Sequence, residues 1–205
     1  MRKKAREMKW ALRMFCGKYR VLYPLYFRLF EKKWFNRIHQ PNPDIVIEGF
    51  GGSANSFAVY AFEAAQPKKL KIAHHLHITA QIKDAAKRGV PVFLIIRNPV
   101  DAVTSLLSRD YYPSARQGFV DYFKFYKDIL PYKENLLIAP FEVLTSDIAS
   151  LISQVNEKYG TTYATTLNMA EKGLKCLKTE GRSDVSAMPL RGREGLKKEA
   201  GRKVA

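Results

Sequence analysis

"DIVIEGFGGSANSF", residues 44–57, runs from an apolar stretch through Gly49, Gly51 and Gly52 into residues with helical spacing. A strand that turns at once into a helix is the opening unit of an open α/β sheet, and ligands of such sheets sit at the carboxyl ends of the strands. There the turn offers unpaired backbone N–H groups and the positive end of the helix dipole. The glycines allow close backbone approach, while Ser53, Asn55 and Ser56 add side-chain donors. Set against the pattern GxxxxGK[ST], "GFGGSANS" keeps Gly49 and Ser56 but has Ala54 for glycine and Asn55 for lysine, which disfavours a conventional ATPase. A tight turn followed by a serine-capped helix also fits these residues. The loop contains no lysine or arginine.

Outward from this turn, from "PNPD" (41–44) onward, short apolar runs alternate with longer amphipathic ones. That alternation predicts a parallel sheet flanked by helices, an α/β three-layer sandwich. Strands are expected near 44–50, 70–75, 91–97 and 135–139, and helices over 55–65, 78–88, 99–109, 115–130 and 146–159. "VFLIIR" (92–97) is continuously apolar, as suits a strand covered on both faces, and is expected to be central.

The chain has 205 residues, a length that suits one domain with a sizeable core. Its +16 formal charge lies at the ends: residues 1–40 carry 12 Lys/Arg against 2 acids, residues 171–205 carry 10 against 5, and the middle is nearly neutral. Three parts follow: a basic aromatic-rich helical extension (1–40), an α/β domain (41–170) and a basic loop or tail (171–205). Charge confined to the ends argues for an anionic surface or substrate and against a domain built throughout for nucleic acid. In "KWALRMFCGKYRVLYPLYFRLFEKKWF" (9–35), aromatics and leucines interleave with cations. Three readings fit: helices that pack on the domain and show a basic outer face, contact with an anionic membrane surface, or, last, nucleic-acid binding. Pro24 is expected to break it into two pieces. Cys16 and Cys176 stand far apart without CxxC neighbours, so neither a disulfide framework nor a zinc set is indicated and a reducing compartment fits. With no apolar run near the roughly 18 residues of a spanning helix, the expected location is cytoplasmic, with peripheral membrane association as a further option.

"LIIRNPVDAVTSLLSRD" (94–110) places Arg97 at the carboxyl end of a strand. Asn98 suits an N-cap, Pro99 the first helical position and Asp101 the first turn. Asp101, Ser105 and Arg109 then share one helix face. Arg97 with Ser105 makes a plausible phosphate clamp; an ion pair between Arg97 and a nearby acid is the alternative.

"RNPVDAVTS" (97–105) resembles the arginine-asparagine-proline-x-aspartate-x-x-x-serine signature of the P-loop sulfotransferases. In that family Arg and Ser hold the 3′-phosphate of 3′-phosphoadenylyl sulfate (PAPS), and the first strand-turn-helix is the 5′-phosphosulfate loop. Aligned on its serine, "GGSANS" puts Gly51 at the usual proline, Gly52 at the cation, Ser53 at the serine, Ala54 at the glycine, and Asn55 and Ser56 at two hydroxyl positions. The match spans about residues 44–160. It implies that these loop residues, with Arg97 and Ser105, bind PAPS as co-substrate, and that Glu142, at the start of a further helix, is structural. "PLRGREGLKK" (189–198) resembles the late basic loop that closes over the nucleotide, making Arg191 a candidate for the 3′-phosphate, with Arg193 and Lys197 beside it. The implied activity is sulfuryl transfer to a hydroxyl of a carbohydrate, lipid or other small acceptor. A noncatalytic nucleotide- or polyanion-binding protein on the same fold is the alternative.

Sulfuryl transfer needs a positioned base and donors for charge developing on the bridging oxygen. "KIAHHLH" (71–77) puts three of the four histidines at the carboxyl end of the second strand. The resemblance makes His75 the expected base, with His77 second. If the extended backbone continues, His75 and His77 point to one side and His74 to the other. A metal site is the rival reading, but no acid or thiol accompanies the cluster. The implied reaction needs no metal.

Overall fold

A computed structural model describes residues 2–108 and 114–166, with backbone alone at 2–7 and 36–38. Four short apolar runs form the strands β1 (Ile45–Gly49), β2 (Ile72–His74), β3 (Val92–Ile96) and β4 (Leu137–Pro140). All pair in parallel, in the order β2-β1-β3-β4. The continuous apolar run of β3 does take an interior place, paired with β1 through Gly49 and Ile95 and with β4 through Ile96 and Pro140.

Helices cover both faces, as a parallel sheet requires. Ile45, Ile47, Phe93 and Ile95 pack toward α4 (Asn55–Ala65) and α9 (Ile148–Tyr159), meeting Phe62, Ile152 and Val155. Val46, Val92 and Leu94 pack the other way, toward α5 (Thr79–Lys87), α6 (Pro99–Leu107) and α7 (Ala115–Ile129), meeting Ile82, Val103 and Phe125. This is the α/β three-layer arrangement. Burying each such side chain contributes on the order of 1.5–3 kcal/mol.

Local chemistry sets the helix starts. Asn98 Oδ1 accepts from the Val100 amide at 2.9 Å, with Pro99 next in the chain and Asp101 in the first turn of α6. Ser114 and Asp147 cap α7 and α9 in the same way. α4 is different: its N-cap is Ala54, left-handed at φ +64°, and no side chain caps it. The expected serine cap is absent because Ala54, which has no acceptor side chain, holds the cap position, while Ser53 before it is fully buried. A six-residue helix, α8 (Phe141–Ser146), precedes α9 and carries Glu142 exposed in its first turn. It is too short for periodicity to reveal.

The N-terminal segment forms three helices, α1 (Arg2–Cys16), α2 (Leu22–Phe30) and α3 (Lys32–Ile38). Pro24 does not break them. It lies in the first turn of α2, where a missing N–H costs nothing, and the break falls instead at Gly17. A Cβ on Gly17 would lie 2.7 Å from Ile78 Cγ2, while the Gly17 carbonyl accepts from the Ala80 amide at 2.9 Å. Tyr23, Tyr26, Phe27 and Phe35 face inward onto Leu76, Ile78 and Ala80, so α2 and α3 belong to the folded body. Among the described residues no helix is long and apolar enough to cross a membrane.

Candidate functional site

The carboxyl ends of β1, β2 and β3 carry the glycine loop, the histidine cluster and Arg97, on adjacent strands. The loop, residues 50–54, folds tightly: the Ser53 amide donates to the Phe50 carbonyl at 3.2 Å, and Asn55 Nδ2 donates to the same carbonyl at 3.1 Å. Asn55 is buried, so its amide group braces the loop from beneath. Ser53 is also turned inward. Of the three side-chain donors expected there, Ser56 meets His75, its Oγ 2.9 Å from Nε2. The backbone supplies donors instead. The Asn55, Ser56 and Phe57 amides begin an uncapped helix and, among the described residues, meet no carbonyl, the arrangement in which a helix start offers donors to an anion.

Gly52 has a compelling reason to be glycine. Its φ is +80°, and a Cβ there would come within 2.4 Å of the Ala102 carbonyl oxygen on α6. No cationic side chain fits at this position. The nearby cation is Arg97, whose Nη1 donates to the Gly52 carbonyl at 2.8 Å while the guanidinium carbon lies 4.3 Å from the Phe141 ring centroid. Nε of Arg97 is buried and unbonded among the described residues. The expected alternative, an Arg97 ion pair with an acid, is not formed among them. Tyr122 and Tyr126 hold this corner in place. The Tyr122 hydroxyl donates to the Arg97 carbonyl at 2.6 Å, and the Tyr126 hydroxyl donates to the Ile95 carbonyl at 2.7 Å while accepting from the Phe50 amide at 3.3 Å. Burial pushes the Tyr126 phenol well up, so it stays a donor.

No protein-family model and no curated protein matches this chain. Its chemistry is therefore read from its own side chains.

The histidines do not continue the strand. His75 and His77 are both left-handed, at φ +58° and +51°, so the expected alternation of sides fails. The cause is Glu48, buried to 0% exposure in β1. Its Oε1 accepts from the Leu76 amide at 2.7 Å and the His77 amide at 3.3 Å, wrapping the turn around a carboxylate. His77 Nδ1 lies 3.0 Å from the Gly49 carbonyl and 3.3 Å from Glu48 Oε2. Between two oxygens Nδ1 carries a proton, so in the neutral ring the lone pair is on Nε2. His75 is engaged at both ring nitrogens: Nε2 with Ser56 Oγ at 2.9 Å and Nδ1 with His74 Nδ1 at 2.5 Å. Among the described residues no three His, Cys, Asp or Glu side chains form a group able to hold a metal ion.

His77 also lines a cavity of about 610 Å³ between α1 and α7, whose wall includes Trp10, Met14, Lys124 and Asp128. Asp121, buried in that wall, accepts from Trp10 Nε1 and from Gln117 Nε2, both at 2.9 Å. Ser105 lies half-buried on α6, the helix against which Gly51 and Gly52 pack, and is not hydrogen-bonded to Arg97. Arg109, Arg191, Arg193 and Lys197 lie outside the described residues.

Sequence reasoning missed Glu48, Tyr122, Tyr126 and Phe141. Glu48 had a signal, being an acid inside an otherwise apolar strand. Tyr122 and Tyr126 stand four apart on a helix, which does not distinguish them from ordinary core aromatics.

Proposed function

We propose that the chain is a PAPS-dependent sulfotransferase acting on a hydroxyl of a carbohydrate, lipid or other small acceptor. The observation that carries this reading is the Arg97 guanidinium held against Gly52: a loop that sterically excludes its own cation has one bonded to its backbone. Three amides at the start of α4, without a carbonyl partner among the described residues, add the donors that a phosphosulfate needs. Arg97 thereby serves the 5′ side of the nucleotide as well as, or instead of, the 3′-phosphate that the family resemblance assigns to it with Ser105.

PAPS supplies an activated sulfuryl group. The acceptor oxygen attacks sulfur as the bond from sulfur to the phosphate oxygen breaks, and the desulfated nucleotide leaves with the electron pair. Arg97 and the α4 amides stabilise charge gathering on that oxygen. His77 Nε2 takes the acceptor proton, with Glu48 holding the ring and offsetting the resulting imidazolium. His77 suits this role better than His75, the first choice from sequence, because His75 spends both nitrogens on Ser56 and His74. The cavity beside His77 is the acceptor site. The cysteine pattern supports a cytoplasmic setting.

Incubation of the full chain with PAPS labelled in its sulfate and a panel of hydroxylated acceptors tests the reading. Label recovered in an acceptor supports it and names the substrate class. Nucleotide binding without transfer to any class of acceptor would favour the noncatalytic alternative.

A further inference from the structure

Of the large hydrophobic side chains that are exposed among the described residues, nine of fourteen lie between Met8 and Trp34. Their spacing is regular. On α1, Met8, Leu12 and Phe15 recur at helical intervals; Met8 and Leu12 lie away from the face whose Trp10 and Met14 line the cavity, and Phe15 reaches the rim of that cavity. On α2, Leu25 and Leu29 stand four apart, with Val21 one turn earlier at the N-cap, opposite the buried Tyr23, Tyr26 and Phe27. Val21 is 82% exposed and Leu29 68%. The two helices pack on each other, and each leaves its own apolar stripe in solvent. The packed-helix expectation of a basic outer face is therefore only half of what is seen: cations flank the stripes but do not replace them.

Exposed apolar side chains concentrated in this way on two helices of a folded body mark a binding surface. Charge selects the occupant. Residues 1–40 carry 12 Lys/Arg against 2 acids, and Lys18, Arg28, Lys32 and Lys33 are exposed beside the stripes. A second copy of this chain would bring the same positive charge face to face. The chain's own segment 171–205, with 10 Lys/Arg against 5 acids, is also cationic and so is not complementary in charge to these helices. An anionic lipid surface satisfies both features, since acyl chains take the leucines while headgroups take the lysines and arginines. We propose that α1 and α2 form an interfacial membrane-docking surface selective for anionic phospholipid. This inference does not depend on the sulfotransferase reading.

Co-sedimentation of the full chain with phosphatidylcholine vesicles, with and without about 30% phosphatidylserine, tests it. The expected result is partition onto the anionic vesicles alone, weakened by raising salt from about 0.1 to about 0.5 M. The double variant Leu25→Asp with Leu29→Asp should lower that partition at least about tenfold. Because both side chains are exposed, its circular dichroism and melting temperature should match the parent's. Lys32→Glu with Lys33→Glu should weaken binding to the anionic vesicles as well. The inference is overturned by a failure to bind anionic vesicles, or by equal partition of the aspartate variant, which would mean that charge alone attracts the chain. It is also overturned if ultracentrifugation shows a self-associated chain that the same variant dissociates, assigning the stripes to a contact between copies.

Discussion

The Arg97 guanidinium donates to the Gly52 carbonyl at 2.8 Å, across 45 residues of sequence. The cation and the loop that lacks one thus meet through backbone, and Gly52 cannot take over the role. A Gly52→Lys variant designed to restore a loop cation should fail. It meets both a left-handed φ and the Ala102 carbonyl, so chemical denaturation should show a loss of about 2–4 kcal/mol. Gly89→Ala is the control, because φ there is +68° but no atom lies within 4 Å of the new Cβ. It should cost only about 1 kcal/mol. Equal losses at the two sites would mean that the contact with α6 is unimportant.

Glu48 organises the turn that presents the histidines. Replacing it with leucine leaves the Leu76 and His77 amides without their acceptor in a buried place, a loss of roughly 2–5 kcal/mol in denaturation experiments. Glu48→Gln keeps an acceptor oxygen and should cost less. A leucine variant as stable as the parent would remove Glu48 from this role.

His77 and His75 are separable by kinetics. His77→Asn should reduce labelled sulfate transfer by about 10²–10⁴-fold and leave nucleotide affinity unchanged. His75→Asn should act chiefly on affinity, through the Ser56 hydroxyl at the start of α4. The opposite pattern would return the base to His75.

His39 predicts an acid-side weakness. Burial, and then the Arg28 charge, hold its imidazole below the ordinary 6.5, where it stacks on Phe35 with ring centroids 4.3 Å apart. With the folded pKa depressed, the unfolded chain binds more protons in the window below 6.5. Its contribution to stability is intact above 6.5 and lost as pH falls through the folded value. Melting temperatures from pH 7.5 down to pH 5 should fall more for the parent than for His39→Leu. Parallel curves would show that His39 does not titrate with folding.

Much of this molecule was legible because its sheet is built from local signals. Each strand is a short apolar run between turn residues, and α6 announces itself through Asn98 and Pro99. What stayed hidden is tertiary. The left-handed turns at His75 and His77 are imposed by a carboxylate from another strand, so no local rule could stop the extended backbone from being continued through them. The inward turn of Ser53 and Asn55 follows from the packing of α6 and β3 on the loop. Residue type indicated donors, and packing turned Ser53 and Asn55 into the interior while Ser56 met His75. Pro24 misled because a proline ends a helix in mid-span but is harmless in a first turn, and the steric stop at Gly17 comes from Ile78, distant in sequence.

Calorimetric titration of the full chain with 3′-phosphoadenosine 5′-phosphate, the desulfated product, tests the central claim most directly. Binding in roughly the micromolar range is predicted, weakened at least about tenfold by Arg97→Ala with the melting temperature little changed, and unaltered by His77→Asn. Absence of binding at several hundred micromolar nucleotide, or full affinity in Arg97→Ala, would contradict the assignment of this loop and this arginine to a phosphosulfate.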